Sequence, residues 1–190
     1  MMRSRLLPAL AACLGAAFLV ISAPLRADDL ADISALHRQG DHALALERVD
    51  AYLAAKPGNV EARFLKGLIL TDQKNYPEAT RVFVALTEEK PELPEPYNNL
   101  AVVYAAQGKY NMAKLQLENA ISANPGYATA YENLGDVYAR MASEAYGRAL
   151  ELDPSRAGAR DKLSLMQELF AKAGNPASPS AAAPEAPTGR

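Results

Sequence analysis

Tryptophan is absent from this chain, and cysteine occurs once, at Cys13. A single thiol cannot close an intrachain disulfide, so burial and hydrogen bonding must hold the fold. Histidine is almost as scarce. His37 and His42 are the only two, five positions apart with Gly40 between them. Residues at that spacing do not share a helix face, and the glycine interrupts them. They read as turn and surface residues, and no metal site is expected. The sequence has no Gly-rich phosphate loop, no nucleophile elbow and no His-rich metal motif, so no cofactor is expected either. Lys and Arg number 20 against 22 Asp and Glu, for a net charge of −2. Without a basic field, nucleic-acid binding is excluded as a reading.

A long apolar run occurs only near the start. Arg3 and Arg5 precede an apolar stretch from Leu6 to Ile21. A basic head followed by an apolar segment of this length reads as a secretory signal over residues 1–27, cleaved after Ala27. The stretch is short of the roughly 20 residues that span a bilayer, so no integral membrane segment is expected after cleavage. Leu10-Ala11-Ala12-Cys13 is the rival reading, a lipoprotein anchored at Cys13. Leu14 to Ile21 is more apolar still, whereas a lipidated cysteine is normally followed by a polar tether. Removing Arg3, Arg5 and Arg26 leaves 17 basic residues against 22 acidic ones, a mature chain near −5.

What is abundant is helical periodicity, repeated. Nearly half the residues are hydrophobic, mostly Ala and Leu. Tyr97, Leu100, Ala101 and Tyr104 recur at three and four residues, one face of a helix. Gly108 ends that helix. Ala113, Leu117 and Ala120 line a second, which Pro125 stops. The small residues let two antiparallel helices approach closely. Pro57, Pro91 and Pro125 stand 34 residues apart. This pattern resembles the tetratricopeptide repeat, with Tyr97 in place of its tryptophan and Leu117 in place of its phenylalanine.

The resemblance covers residues 28–173 and implies an all-α, right-handed superhelical solenoid of antiparallel helix pairs. Repeats are expected at about 28–59, 60–93, 94–127 and 128–156, with a capping helix at 157–173. The tail 174–190 is Pro, Ala and Ser without apolar periodicity and reads as disordered. In the second repeat Arg63 and Lys66 depart from the family's aromatic and Leu, and Phe64 and Leu65 are expected to take over packing. In the same alignment His42 holds the slot of Tyr76 and Tyr110, a packing position.

The fourth repeat departs most. Pro125 to Pro154 is only 29 residues, so five are missing, and they are those of the inter-helix turn. Apolar spacing continues through Tyr131, Leu134, Tyr138, Met141, Ala145, Ala149 and Leu152. One continuous helix from about Thr129 to Leu152 is therefore expected. Its second half cannot fold back on its first, so either the final helix or a second chain must cover the exposed stripe. The latter would make a homodimer through this helix.

Function follows from the resemblance. In such arrays the first helix of each pair lines a concave groove that holds a partner segment. The groove slots here are Phe64, Leu68 and Thr71, then Asn98, Asn99, Val102 and Ala105, then Glu132, Asn133 and Asp136. The groove would be apolar in its N-terminal half and acidic in its C-terminal half. Asn99 and Asn133 hold one slot of successive repeats, and asparagine can both donate to and accept from a peptide group. The basic clamp by which some family members hold C-terminal carboxylates is missing. The resulting expectation is a non-enzymatic periplasmic adaptor for a protein or extended peptide, in envelope assembly or maintenance. Two other readings stay open: a membrane-anchored assembly-machine subunit lipidated at Cys13, resembling pilus-secretin chaperones, and an enzyme using Glu132 and Asp136 as an acid/base pair.

Overall fold

The computed structural model describes residues 28–172. Residues 1–27, on which the expected signal and the alternative anchor at Cys13 fall, and residues 173–190, with the expected disordered tail, lie outside the described residues. The described chain forms eight helices: α1 (Asp28–Arg38), α2 (His42–Ala55), α3 (Val60–Asp72), α4 (Tyr76–Glu89), α5 (Pro94–Ala106), α6 (Tyr110–Ala123), α7 (Ala128–Leu152) and α8 (Ala157–Lys172). No strand occurs among the described residues. The architecture is the expected all-α solenoid of stacked antiparallel helix pairs.

Three turns set the pairs. Gly40 and Gly108 take φ of +84° and +71°, which glycine adopts without a Cβ clash. At each, two backbone bonds close the preceding helix. Asp41 N donates to Leu36 O and Gly40 N to His37 O, while Lys109 N donates to Tyr104 O and Gly108 N to Ala105 O. These are Schellman closures, which satisfy carbonyls that a helix end leaves unpaired. Lys74 makes the same closure without glycine, at φ 59°. The opposite ends are set by side chains and prolines. Asn59 Oδ1 accepts from Ala62 N at 2.7 Å to cap α3, and Pro94 and Pro96 lie buried in the first turn of α5, where a missing N–H is harmless.

The core is two clusters joined by α3. Ile33, Ala45, Val49 and Tyr52 meet Ala62, Leu65 and Ile69 on one side of that helix. On the other, Phe64 and Leu68 join Phe83, Leu86, Leu100, Leu117 and, from α7, Ala130 and Val137. Ala101, Ala113 and Ala120 are fully buried, so α5 and α6 pack backbone to backbone as their small residues imply. Phe64 and Leu65 do take the buried positions in α3. Arg63 and Lys66, freed from packing, pair outward with Glu89 of α4 and Asp50 of α2. The Arg63 guanidinium, by hydrogen bond and charge, holds the exposed Glu89 carboxyl below its ordinary 4.5.

Helix α7 is one uninterrupted helix of 25 residues. Ala142 falls one 34-residue period after Gly108, where the earlier repeats turn, and the helix passes straight through it. Helix α8 runs back along the second half of α7. The Arg140 guanidinium lies 3.7 Å over the Phe170 ring, and Lys162 sits 5.5 Å over Tyr146. That order is antiparallel, so α8 stands where the missing turn would have returned the chain. Its cover is partial, because no residue of α8 is buried.

Candidate functional site: the inner helix layer

Curvature follows from which helices touch. Helices α1, α3, α5 and α7 contact one another in succession, whereas α2, α4 and α6 are not in mutual contact. The first helix of each pair therefore forms the inner layer, and its partners splay on the outer side. All the expected groove residues come from α3, α5 and α7 of that inner layer.

The structure places them unevenly. Phe64 packs edge-on against Phe83, centroids 5.7 Å apart at 68°. It belongs with Leu68 to the main core. Thr71 Oγ1 donates to Gly67 O on its own helix. Val102 and Ala105 are buried. Glu132 is exposed and Asp136 half-buried.

The asparagines are all buried, and their bonds differ from a simple ladder. Asn133 Nδ2 donates to Asn98 Oδ1 at 2.7 Å, joining α7 to α5. Asn99, which shares the repeat slot of Asn133, instead donates from Nδ2 to Glu95 O one turn back on its own helix. Asn98 Nδ2 is buried with no hydrogen-bond partner. Such a donor favours any acceptor that reaches it, because an unmet buried N–H costs about 1–3 kcal/mol.

Two further features were not anticipated. A cleft of about 580 Å³ lies between the α5–α6 turn and the second half of α7, lined by Lys109, Tyr110, Met112, Met141, Glu144 and Arg148, among others. It exists because α7 runs on past that turn, and the five-residue deficit was its only signal in the sequence. The second concerns the histidines. Gly40 interrupts the helix between His37 and His42, as expected, but the turn it closes folds their rings together, centroids 5.3 Å apart. Asp72 of α3 joins them, its Oδ2 lying 2.6 Å from His37 Nε2. These three are the candidate metal-ligating group among the described residues.

The merged helix also changes what is exposed. Tyr131 and Tyr138 are 51% and 48% exposed, although Tyr104, one period before Tyr138, is 9% exposed. In the earlier repeats the returning helix covers this face; in the fourth it does not. No described helix is long and apolar enough to cross a membrane.

These helix pairs, their 34-residue period and their inner layer define a helical-repeat interaction scaffold. Residues 30–94 match one tetratricopeptide-repeat family model, and residues 94–127 match a second. The chain carries tetratricopeptide repeats. It is 29% identical over 114 residues to the tetratricopeptide repeat domain-containing protein PYG7, chloroplastic, of Arabidopsis thaliana. That match takes in 55% of this chain and 38% of the relative, so this chain spans well under half of that protein's length. Two crystal structures of MamA share the fold. They are 24% and 23% identical, each with a TM-score of 0.53. They cover 75% and 79% of this chain and 85% of each MamA chain.

Proposed function

We propose that this protein is a non-enzymatic adaptor that holds an extended segment of a partner protein along its inner helix layer. The observation that carries this reading is the unpartnered Nδ2 of Asn98; Asn98 is shut from solvent, so a backbone carbonyl of the bound segment would satisfy this donor as the side chain swings toward the groove on binding. Asn99 and Asn133 flank it. Glu132 and Asp136 supply the charge at the C-terminal end, and Phe64, Leu68 and Val102 form the apolar floor at the other. No Lys or Arg stands among these positions, so a basic or neutral segment is favoured over an acidic one. Export across an inner membrane by residues 1–27 would put this adaptor in a bacterial periplasm, serving envelope assembly or maintenance.

Intact-mass measurement of the protein purified from its host tests the export step. A mature chain beginning at Asp28 is expected. One beginning at a lipid-modified Cys13 would instead favour the membrane-anchored assembly subunit.

The groove is tested by capture from periplasmic extract, comparing the wild type with Asn98→Leu and with the double variant Glu132→Lys/Asp136→Lys. Asn98→Leu removes the donor, and its folding is checked by circular dichroism. Loss of one captured partner from both variants is the expected result. A partner retained by both would move binding to the α7 cleft or the outer face. Capture of the same chain alone would favour a second reading, a homodimer that covers the exposed Tyr131 and Tyr138 face of α7.

A further inference from the structure

His37 lies in the last turn of α1, and His42 opens α2. The turn between them sets the two imidazoles 5.3 Å apart, tilted by 57°. Asp72, the last residue of α3, reaches across from the next repeat to His37 Nε2 at 2.6 Å. One donor atom from each of the three residues lies within 4.8 Å of the other two. The His37 side chain is 15% exposed and that of Asp72 50%, so a carboxylate open to solvent stands at the mouth of a sheltered imidazole pair. His42 Nδ1 is buried and has no hydrogen-bond partner. A polar ring nitrogen shut away from water without a partner is costly, and neutral imidazole nitrogen is the commonest protein ligand for metal ions.

We propose that His37, His42 and Asp72 are three ligands of a divalent transition-metal ion, zinc by the nature of the donors, with a fourth position left open. Two imidazoles and a carboxylate are a zinc donor set, whereas magnesium and calcium take oxygen ligands. Metal–ligand distances of about 2.0–2.2 Å put neighbouring tetrahedral donors about 3.3–3.6 Å apart. The Asp72 carboxylate, now hydrogen-bonded to His37 Nε2 at 2.6 Å, is half exposed and opens to that spacing as the metal replaces the hydrogen bond.

Such an ion has a structural consequence. It ties two residues of the first repeat to one of the second. Among the described residues helix α1 otherwise packs only on α2 and α3, and of those it gives the core a single buried residue, Ile33. Zinc clamps this end of the solenoid where burial is thin, and ordering of the terminal repeat becomes linked to metal supply.

The test uses the untagged full chain, stripped with a chelator and titrated with zinc chloride by calorimetry, with thermal unfolding followed in parallel. One equivalent of zinc is expected to bind, and the melting temperature is expected to rise with zinc concentration. Outer partners of metal ligands typically cost 10–100-fold in affinity, so loss of a ligand in Asp72→Asn or His42→Gln is expected to cost at least about that much. Cobalt in place of zinc should give visible absorption bands that change in Asp72→Asn. Zinc affinity equal in wild type and both variants would overturn the site, as would the absence of any one-equivalent binding. Should a histidine variant fail to fold, Asp72→Asn, isosteric and half exposed, decides the question by the same readouts.

Discussion

Replacing Phe83 by alanine will be among the most damaging single changes to this protein, lowering stability by about 3–5 kcal/mol. Phe83 is fully buried and is the largest side chain so placed. It meets Phe64 edge-on and lies against the backbone of α3 at Gly67. A Cβ built on Gly67 would stand 2.6 Å from Phe83 Cζ and 2.7 Å from Cε1. The glycine and the phenylalanine are therefore one fitted pair, ring on bare backbone. Gly67→Ala in the wild type should cost about 1–3 kcal/mol by overpacking. In the Phe83→Ala background the added methyl enters the cavity, and its helix preference over glycine contributes about 0.5–1 kcal/mol. The sign of Gly67→Ala should thus reverse between the two backgrounds, a coupling that a double-mutant cycle measures directly. Chemical denaturation of the four proteins checks it. An additive pair would show that the ring and the backbone are not in the contact described.

Ala142→Pro should uncouple the distal part of the molecule from the rest. Proline in a helix interior removes the N–H bonded four residues back and clashes with that carbonyl, costing about 3 kcal/mol or more. Val137 is the last buried residue of α7, and α8 has none. Beyond Met141 the chain is held by helix continuity, partial packing and two cation–π contacts, each worth about 0.5–1 kcal/mol at exposed sites. That is too little to absorb the proline. Amide hydrogen exchange should therefore lose protection from about residue 142 to residue 172, with trypsin cutting at Arg148 and Lys162. Protection in α3 to α6 should stay, because neighbour-only packing lets a repeat array unfold in parts. Ala142→Gly, at about 1 kcal/mol, should show a weaker version of the same pattern. Full protection in Ala142→Pro would mean that α8 packing, and not continuity of α7, fixes this end.

Both results trace to features of unequal visibility in the sequence. The Ala101, Ala113 and Ala120 contact was legible because small residues at helical spacing admit a neighbouring backbone whatever the rest of the fold. The merged helix was legible because a deficit against a fixed period can be counted. The Phe83–Gly67 fit was not, since glycine at a repeat position also reads as mere tolerance of close packing. Of the expected groove residues, Glu132 is exposed and Asp136 half-buried, while Phe64, Leu68, Asn98, Asn99, Val102 and Asn133 are buried. Periodicity assigns a residue to a face, but only the packed neighbours decide how deep that face lies. The Asn98–Asn133 bond shows the limit well, because a strict 34-residue count pairs Asn133 with Asn99.

The class of fold, the number and order of the helices, and the one place where the repeat rule breaks could all be read along the chain. Those follow from local terms: helix periodicity, glycine and proline at ends, and the count between them. That His37, His42 and Asp72 meet, that Asn98 keeps an unmatched donor, and that α8 folds back along α7 emerged with the packed helices. Each of these depends on the angle at which one helix pair stacks on the next. That angle is set by the summed packing of many side chains rather than by any residue whose spacing could be read along the chain.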